Sequence, residues 1–338
     1  MIPPKSVRAV SGRRRSAAAV AVAMTMALSL AACGSGDDGS DAKADAPGAA
    51  AGADASAGTF PTTVKTRHGD VTIKSEPKRV VALGATTADE LISLGVTPVK
   101  VAGPAEDAAY PWVADKIHDL AAPDMMNASF ELNVEAIANA KPDLIVGQGF
   151  EAADKAVYDQ LSSIAPTVVP DSTSLNVSWD QRLRTTGAAV GRTAEAETLI
   201  TSLKDEFAAM AGKYPGIKDK TYQLVRADSG GYAFGNGSLF ELFGLKPAAN
   251  QDNTMKSAPL SFENTDQLNA DLLVVWPMGS DMQNKVKNDT AFQALPSVRN
   301  GTSYVADLAF ATAVNSPTPT AMRWVKDKLD PVLAQLST

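Results

Sequence analysis

Short apolar runs bounded by proline, glycine or charge recur along this chain, and most are followed by a stretch with helical periodicity. Lys78-Arg79-Val80-Val81-Ala82-Leu83 follows Pro77 and reads as a buried strand, after which Thr86 or Thr87 caps a helix running through Leu91 and Leu94 to Gly95. Val99–Val101, Leu144–Val146 and Thr167–Val169 are the next strands, the last one behind Pro166. The second half repeats the alternation. Tyr222–Arg226 is a strand, Asp228-Ser229-Gly230-Gly231-Tyr232 a glycine-rich turn, Ser238–Phe243 a helix and Leu272–Trp276 a strand, before Asn300-Gly301 turns into Thr302–Val305. Strands interleaved with helices predict mainly parallel sheets covered on both faces.

The best helical stripe lies between the halves. After Gly191, Thr193 caps a helix with Glu195 and Glu197 in its first turn, and Ala196, Ile200, Leu203, Phe207, Met210 and Tyr214 follow on one face. About 20 residues rising ~1.5 Å each reach roughly 30 Å, enough to run from one lobe to another. Packing within a single lobe is the alternative.

The halves also echo one another. Glu135 precedes Asp143-Leu144-Ile145-Val146 by eight positions, and Glu263 precedes Asp271-Leu272-Leu273-Val274 by the same eight, 128 residues later. Each glutamate lies two residues after a helix N-cap, Asn133 or Ser261. Upstream, Leu94-Gly95-Val96-Thr97-Pro98 and Phe243-Gly244-Leu245-Lys246-Pro247 both read as a helix stopped by glycine. Two lobes of related build, with a ligand cleft between them, are expected.

The first residues concern location. Lys5, Arg8 and Arg13-Arg14-Arg15 precede an apolar stretch from Ala17 to Ala32, whose 16 residues suit a secretory signal peptide better than a membrane span. It ends Leu30-Ala31-Ala32-Cys33-Gly34, which resembles a bacterial lipobox. That resemblance implies a removed signal peptide at 1–32, a lipidated Cys33, and anchoring by acyl groups at the extracytoplasmic face of the cell membrane. An ordinary signal peptide with an incidental cysteine is the other reading. The arginine run leaves Sec and twin-arginine export both open. Cys33 is the one cysteine of the chain, which excludes an internal disulfide framework.

Residues 33–59 have the Gly, Ser, Asp and Ala composition of a flexible tether, so folded structure is expected from about Phe60. The expected division is a lobe at 60–175, a connecting helical segment at 176–214 and a lobe at 215–338. The full chain carries 31 Lys+Arg against 38 Asp+Glu; setting aside residues 1–32 removes five basic and no acidic groups and moves the balance from −7 to −12. That is the wrong sign for nucleic acid.

Glu76-Pro77-Lys78-Arg79-Val80-Val81-Ala82-Leu83, Leu94-Gly95-Val96-Thr97-Pro98-Val99, Lys141-Pro142-Asp143-Leu144-Ile145-Val146 and Ala270-Asp271-Leu272-Leu273-Val274-Val275 resemble the iron-siderophore and cobalamin binding proteins of bacterial ABC importers. The resemblance covers residue 60 to the C-terminus. It implies an α/β fold of two Rossmann-like lobes with mainly parallel sheets joined by one long interdomain helix, the class III periplasmic-binding-protein arrangement. It also implies a monomer that hands a chelated cargo to an ABC permease in the membrane without performing chemistry on it. In that family one glutamate on each lobe docks into arginine pockets of the permease, a role that carries over to Glu135 and Glu263. A carboxylate in a first helical turn also stabilises its own helix by about 0.3–1 kcal/mol, the structural alternative.

In sheets of this kind ligands sit beyond the carboxyl ends of strands. Tyr110 and Trp112 after Val101, and Gln148 and Phe150 after Val146, are the candidates in the first lobe, with Arg226, Tyr232 and Trp276 in the second. Aromatic rings supply contact area and arginine supplies fixed donors. His68 and His118 lack paired spacing and the cysteine is committed to the anchor, so a metal cage of side chains is not expected and iron should arrive inside its chelator, with no permanent cofactor. No Gly-x-Ser-x-Gly elbow, phosphate loop or dinucleotide fingerprint supports an enzyme. A ferric siderophore is the expected cargo; a corrinoid or haem, or a surface receptor acting as a sensor, are the alternatives. With Arg226 the only basic group picked out, the less charged chelates are favoured.

Overall fold

The computed structural model describes residues 58–174 and 176–338. The leader, Cys33 and all but the end of the expected tether lie outside them. The described chain opens with an antiparallel hairpin, β1 (Thr62–Thr66) and β2 (Gly69–Ile73), which the pattern reading does not anticipate. Four parallel strands follow: β3 (Val80–Leu83), β4 (Lys100–Ala102), β5 (Leu144–Val146) and β6 (Thr167–Val168), ordered β4-β3-β5-β6. Their connections carry α1 (Gly84–Ser93), the short α2 (Ala114–Ile117), α3 (Val134–Asn139) and α4 (Lys155–Ile164). Successive strand residues face opposite sides. Val80 and Ala82 therefore enter one core with Leu91 and Leu183, while Val81 and Leu83 enter another with Ile137 and Leu161.

Two helices lead to the second half, α5 (Trp179–Ala189) and α6 (Thr193–Lys213). Ala196 and Ile200 of α6 are buried in a core of the first sheet, and Leu203 and Phe207 in a core of the second. The helix thus crosses from one hydrophobic core into the other. Its N-cap position is held by Arg192, with Thr193 already helical and no side chain capping. The chain turns into it at Gly191, whose φ of 67° suits glycine.

The second sheet has the order β11-β10-β7-β8, built from β7 (Thr221–Asp228), β8 (Gly231–Phe234), β10 (Leu272–Pro277) and β11 (Ser303–Val305), with the two-residue β9 (Lys246–Pro247) also on β7. Around it lie α7 (Gly279–Asn288), α8 (Thr290–Ala294), α9 (Pro296–Arg299), α10 (Leu308–Asn315) and α11 (Pro319–Leu336). Leu272 and Val274 face one core with Phe240 and Phe310, and Leu273 and Val275 the other with Phe292. The segment 228–232 is more than a turn: Asp228 pairs with Gly231 and Ala227 with Tyr232 in an antiparallel hairpin. Gly231 has φ 121°, and a Cβ there would lie 2.2 Å from the Leu260 carbonyl oxygen, so only glycine fits. Ser238–Phe243 winds as a tighter 3₁₀ helix.

The sequence echo has a structural counterpart. The Asp143 carboxylate accepts from the backbone N–H groups of Lys78 and Arg79, both at 2.8 Å, where the chain enters β3. Asp271 accepts from the Thr221 N–H at 2.7 Å and the Thr221 hydroxyl at 2.8 Å where it enters β7. Each aspartate fastens the start of one central strand to its parallel neighbour. Gly95 and Gly244, with φ of 78° and 81°, end the equivalent helical segments.

Buried polar groups join the halves. Asp89 on α1 accepts from Thr320 at the start of α11, at 3.1 Å from N–H and 2.6 Å from hydroxyl. Arg182 on α5 donates to Glu90 at 3.1 Å, to the Val177 carbonyl at 2.8 Å, and to the Pro317 carbonyl. Burial holds the Glu90 carboxyl above its ordinary range, against the attraction of Arg182.

Candidate ligand-binding site

In both sheets two neighbouring central strands send the chain off in opposite directions. In the first, β3 connects outward to β4 while β5 lies on its other side; in the second, β7 lies between β8 and β10. Beyond the carboxyl ends of such strands a crevice forms by topology alone. Gly84 follows β3 and Gly147-Gln148 follow β5, while Arg226 and Trp276 are register partners near the ends of β7 and β10.

Two adjoining cavities occupy this place. One of about 550 Å³ takes its walls from both halves: Gly84, Tyr110, Gln148, Phe150 and Glu151 on one side, Trp276, Leu308 and Thr312 on the other. The second, about 350 Å³, lies between the second sheet and α10 and includes Arg226, Phe234, Met255, Trp276 and Asn315. Trp276, Thr312 and Ser316 line both. The Tyr110 hydroxyl meets that of Thr312 at 3.5 Å across the divide.

The walls combine exposed apolar surface with unevenly distributed charge. Phe130, Phe150, Met255 and Leu308 are among the few large hydrophobic side chains left exposed among the described residues, and all four border the cavities. Phe130 sits edge-on to Phe150 at 5.6 Å. Its backbone is left-handed, φ 62°, held by the Asn127 side chain accepting from the N–H groups of Ser129 and Glu131 at 2.9 and 3.0 Å. A bulky residue in that conformation is uncommon, and such strain clusters at functional sites. Arg226 is exposed but not free, because Asp228 takes its guanidinium at 2.8 Å. The larger cavity holds Glu106, Asp107 and Glu151 and no basic side chain. Burial pushes the Asp107 carboxyl and the Tyr110 hydroxyl upward, and it pushes Glu151 up to about 7.

Of the residues expected at the site, Tyr110, Gln148, Phe150, Arg226 and Trp276 gather around these cavities. Tyr232 does not reach them. Hairpin pairing turns its ring inward, where it is fully buried and edge-on to Phe262 at 4.9 Å. Trp112 lies behind the site, stacked on Tyr110 at 4.9 Å and against Trp324 at 5.3 Å, and it packs on cores of both halves. Glu135 and Glu263 are exposed in the first turns after Asn133 and Ser261, whose side chains accept from Ala136 and Glu263 N–H. His68 bonds the Ala152 carbonyl at 2.8 Å and stacks on Tyr158, and His118 is exposed beside Asp119. Among the described residues no three metal-ligating side chains converge, and no described helix is long and apolar enough to cross a membrane. Phe130, Met255, Leu308, Glu106, Asp107 and Glu151 are among the site residues that sequence reasoning missed.

A family profile described as periplasmic binding protein matches residues 80–308. Among curated proteins, the chain is 27% identical over 266 residues to "Probable siderophore-binding lipoprotein YfiY" of Bacillus subtilis, covering 71% of this chain and 78% of that one. Among solved structures, a periplasmic solute binding protein from Mycobacterium smegmatis matches with a TM-score of 0.69 at 26% identity, covering 82% of this chain and 99% of that one. SirA of Staphylococcus aureus, complexed with staphyloferrin B, matches with a TM-score of 0.65 at 26% identity, covering 80% and 98%. The α/β fold with two mainly parallel sheets expected from the sequence is the fold of these structures.

Proposed function

The chain belongs to the periplasmic binding protein family, the substrate-binding proteins of ABC importers, and we propose that it takes a ferric siderophore in the cleft between its sheets for delivery to a membrane permease. Members of this family bind and release their cargo and are not enzymes. The observation that carries the reading is the concentration of exposed Phe130, Phe150, Met255 and Leu308, together with Trp276, around a cavity at the switch points of both sheets. A chelate of this class offers a broad organic shell, and such a surface is what apolar and aromatic walls bind.

Charge narrows the class. With Arg226 engaged by Asp228 and three carboxyl groups along the larger cavity, a polyanionic catecholate or citrate complex would meet repulsion. A neutral or positively charged ferric hydroxamate would not. Delivery is assigned to Glu135 and Glu263. Each lies at the start of a segment that leads into a central strand, the shared position that supports a paired role. Exposed pairs contribute only about 0–1 kcal/mol each, so their part is to orient rather than to hold. Anchoring through Cys33 belongs to the same proposal and is supported by the lipoprotein among the relatives.

Titration of intrinsic tryptophan fluorescence with ferric hydroxamate, ferric catecholate, corrinoid and haem tests the reading. Saturable quenching by the hydroxamate is expected. Quenching by haem or a corrinoid alone would reassign the cargo, and none by any probe would remove the proposal.

A further inference from the structure

One carboxyl group at the site has half of its hydrogen bonding unaccounted for. Glu151 is 7% exposed and contributes to the wall of the larger cavity. Its Oε2 accepts from the N–H groups of Gln148 and Gly149, both at 3.1 Å, which explains how it shapes the loop after β5. Its Oε1 is buried and has no partner. A buried, unpartnered carboxylate oxygen costs the free energy of its lost hydration, a cost that a donor arriving from outside the chain would relieve.

The surroundings say which kind of donor. On the side of β3, Oε1 faces Gly84, where a Cβ would stand 3.8 Å away and where no side chain intervenes. The adjoining Ala85 N–H already donates to Asp107 at 3.3 Å, so the start of α1 is satisfied by a carboxylate and does not offer itself to an anion. Glu106 and Asp107 line the same cavity from the segment after β4. Of the other charged groups nearby, Arg182 attracts Glu151 from α5 but is committed to Glu90, Asp89 is committed to Thr320, and His68 lies behind the loop on the Ala152 carbonyl. The wall is therefore short of positive charge and short of one donor.

We propose that Glu151, with Glu106 and Asp107, forms an acidic subsite of the cleft that takes an ammonium group carried by the chelate. The inference rests on the reading of the cleft as the chelate site and adds to it a second point of recognition, distinct from the aromatic wall. Only the ionised carboxylate pairs with an ammonium. Since the free Glu151 carboxyl titrates at about 7, the preference grows as pH rises through that value and a proton is released on binding below it.

The test compares two probes, a linear ferric trihydroxamate with a pendant primary amine and the same complex acetylated on that amine. At about pH 8 the amine-bearing complex should bind the wild-type chain about tenfold more tightly, the equivalent of a one-unit pKa displacement. At about pH 5.5 the ratio should shrink toward one, and calorimetry near neutral pH in buffers of different ionisation enthalpy should show proton release. Glu151→Gln keeps an amide oxygen for the two backbone N–H groups, so the loop survives, while the ratio should fall to about twofold or less and the proton release should vanish. Glu106→Gln, at an exposed position, should lower the ratio without touching the loop. Equal binding of the two probes by the wild-type chain at the higher pH overturns the subsite and leaves the cleft reading intact. Saturable binding of neither overturns both. A Glu151→Gln protein that keeps the full ratio also overturns the subsite.

Discussion

Arg182→Met removes the guanidinium from the buried network between the halves while keeping most of its aliphatic volume. Arg182 and Glu90 are 5% and 2% exposed, so the variant leaves a carboxyl group that water cannot reach with the Thr186 hydroxyl, at 2.8 Å, as its remaining donor. Two carbonyl oxygens, of Val177 and Pro317, lose their donor as well. Breaking one side of a buried pair costs about 3–5 kcal/mol, against about 0–1 for the exposed pairs elsewhere on the surface. The loss carries a pH signature. Burial already holds the folded pKa of Glu90 above its unfolded value, and without Arg182 it rises further. A group shifted in that direction is least costly below its unfolded pKa, and stability is lost as pH rises toward the folded one. Urea unfolding followed by circular dichroism should therefore show a deficit that is larger at about pH 8 than at about pH 5. Adding Glu90→Gln should recover part of it, because a neutral amide is cheaper to bury than a carboxylate. A deficit below about 1 kcal/mol at the higher pH, or one independent of pH, would refute the reasoning.

Trp276→Phe should abolish most of the quenching seen on cargo binding, whereas Trp112→Phe should preserve it, since only Trp276 lines the cavities; the reverse result would place the ligand elsewhere. Gly231→Ala should destabilise the fold by at least about 2 kcal/mol in urea titrations, because a left-handed alanine adds backbone strain to the close approach of Leu260. Arg226→Ala should weaken binding about threefold to tenfold with little change in melting, the exposed Arg226–Asp228 pair being worth little to the fold; a large drop in melting with affinity preserved would make the arginine structural. Replacing Glu135 and Glu263 together by alanine should leave cargo affinity in place and abolish cellular uptake, and undiminished uptake would remove the docking role.

Much of the architecture is legible because it follows from local periodicity. The stripe from Ala196 to Phe207 is buried as its spacing requires, and the repeated Asp143 and Asp271 open equivalent strands. What escapes the pattern depends on pairing partners far away. Tyr232 was expected at the site because it follows the strand ending at Arg226, but a hairpin reverses the chain at Ser229-Gly230 and directs the ring into a core against Phe262. Trp112 followed the rule for strand ends, yet Trp324, more than 200 residues away in sequence, draws it behind the site. Glu151 and Asp107 resembled ordinary surface acids, and what covers them is chain distant in sequence, Gly84 lying beside Glu151 and the Ala85 N–H donating to Asp107. The spacing Gly147-Gln148-Gly149 before Glu151 was the available signal, since a short glycine loop after a strand brings the next polar side chain back to the strand end.

Because α6 is embedded at one end in the hydrophobic interior beneath the first sheet and at the other in that beneath the second, bending it would disrupt both interiors at once. The separation of the walls should thus be set before any cargo arrives, and entry should require little rearrangement. Arrival rates should then differ little among complexes of similar size and charge, and discrimination should show in residence time. A poorly fitting complex would enter as readily as a good one and simply leave sooner.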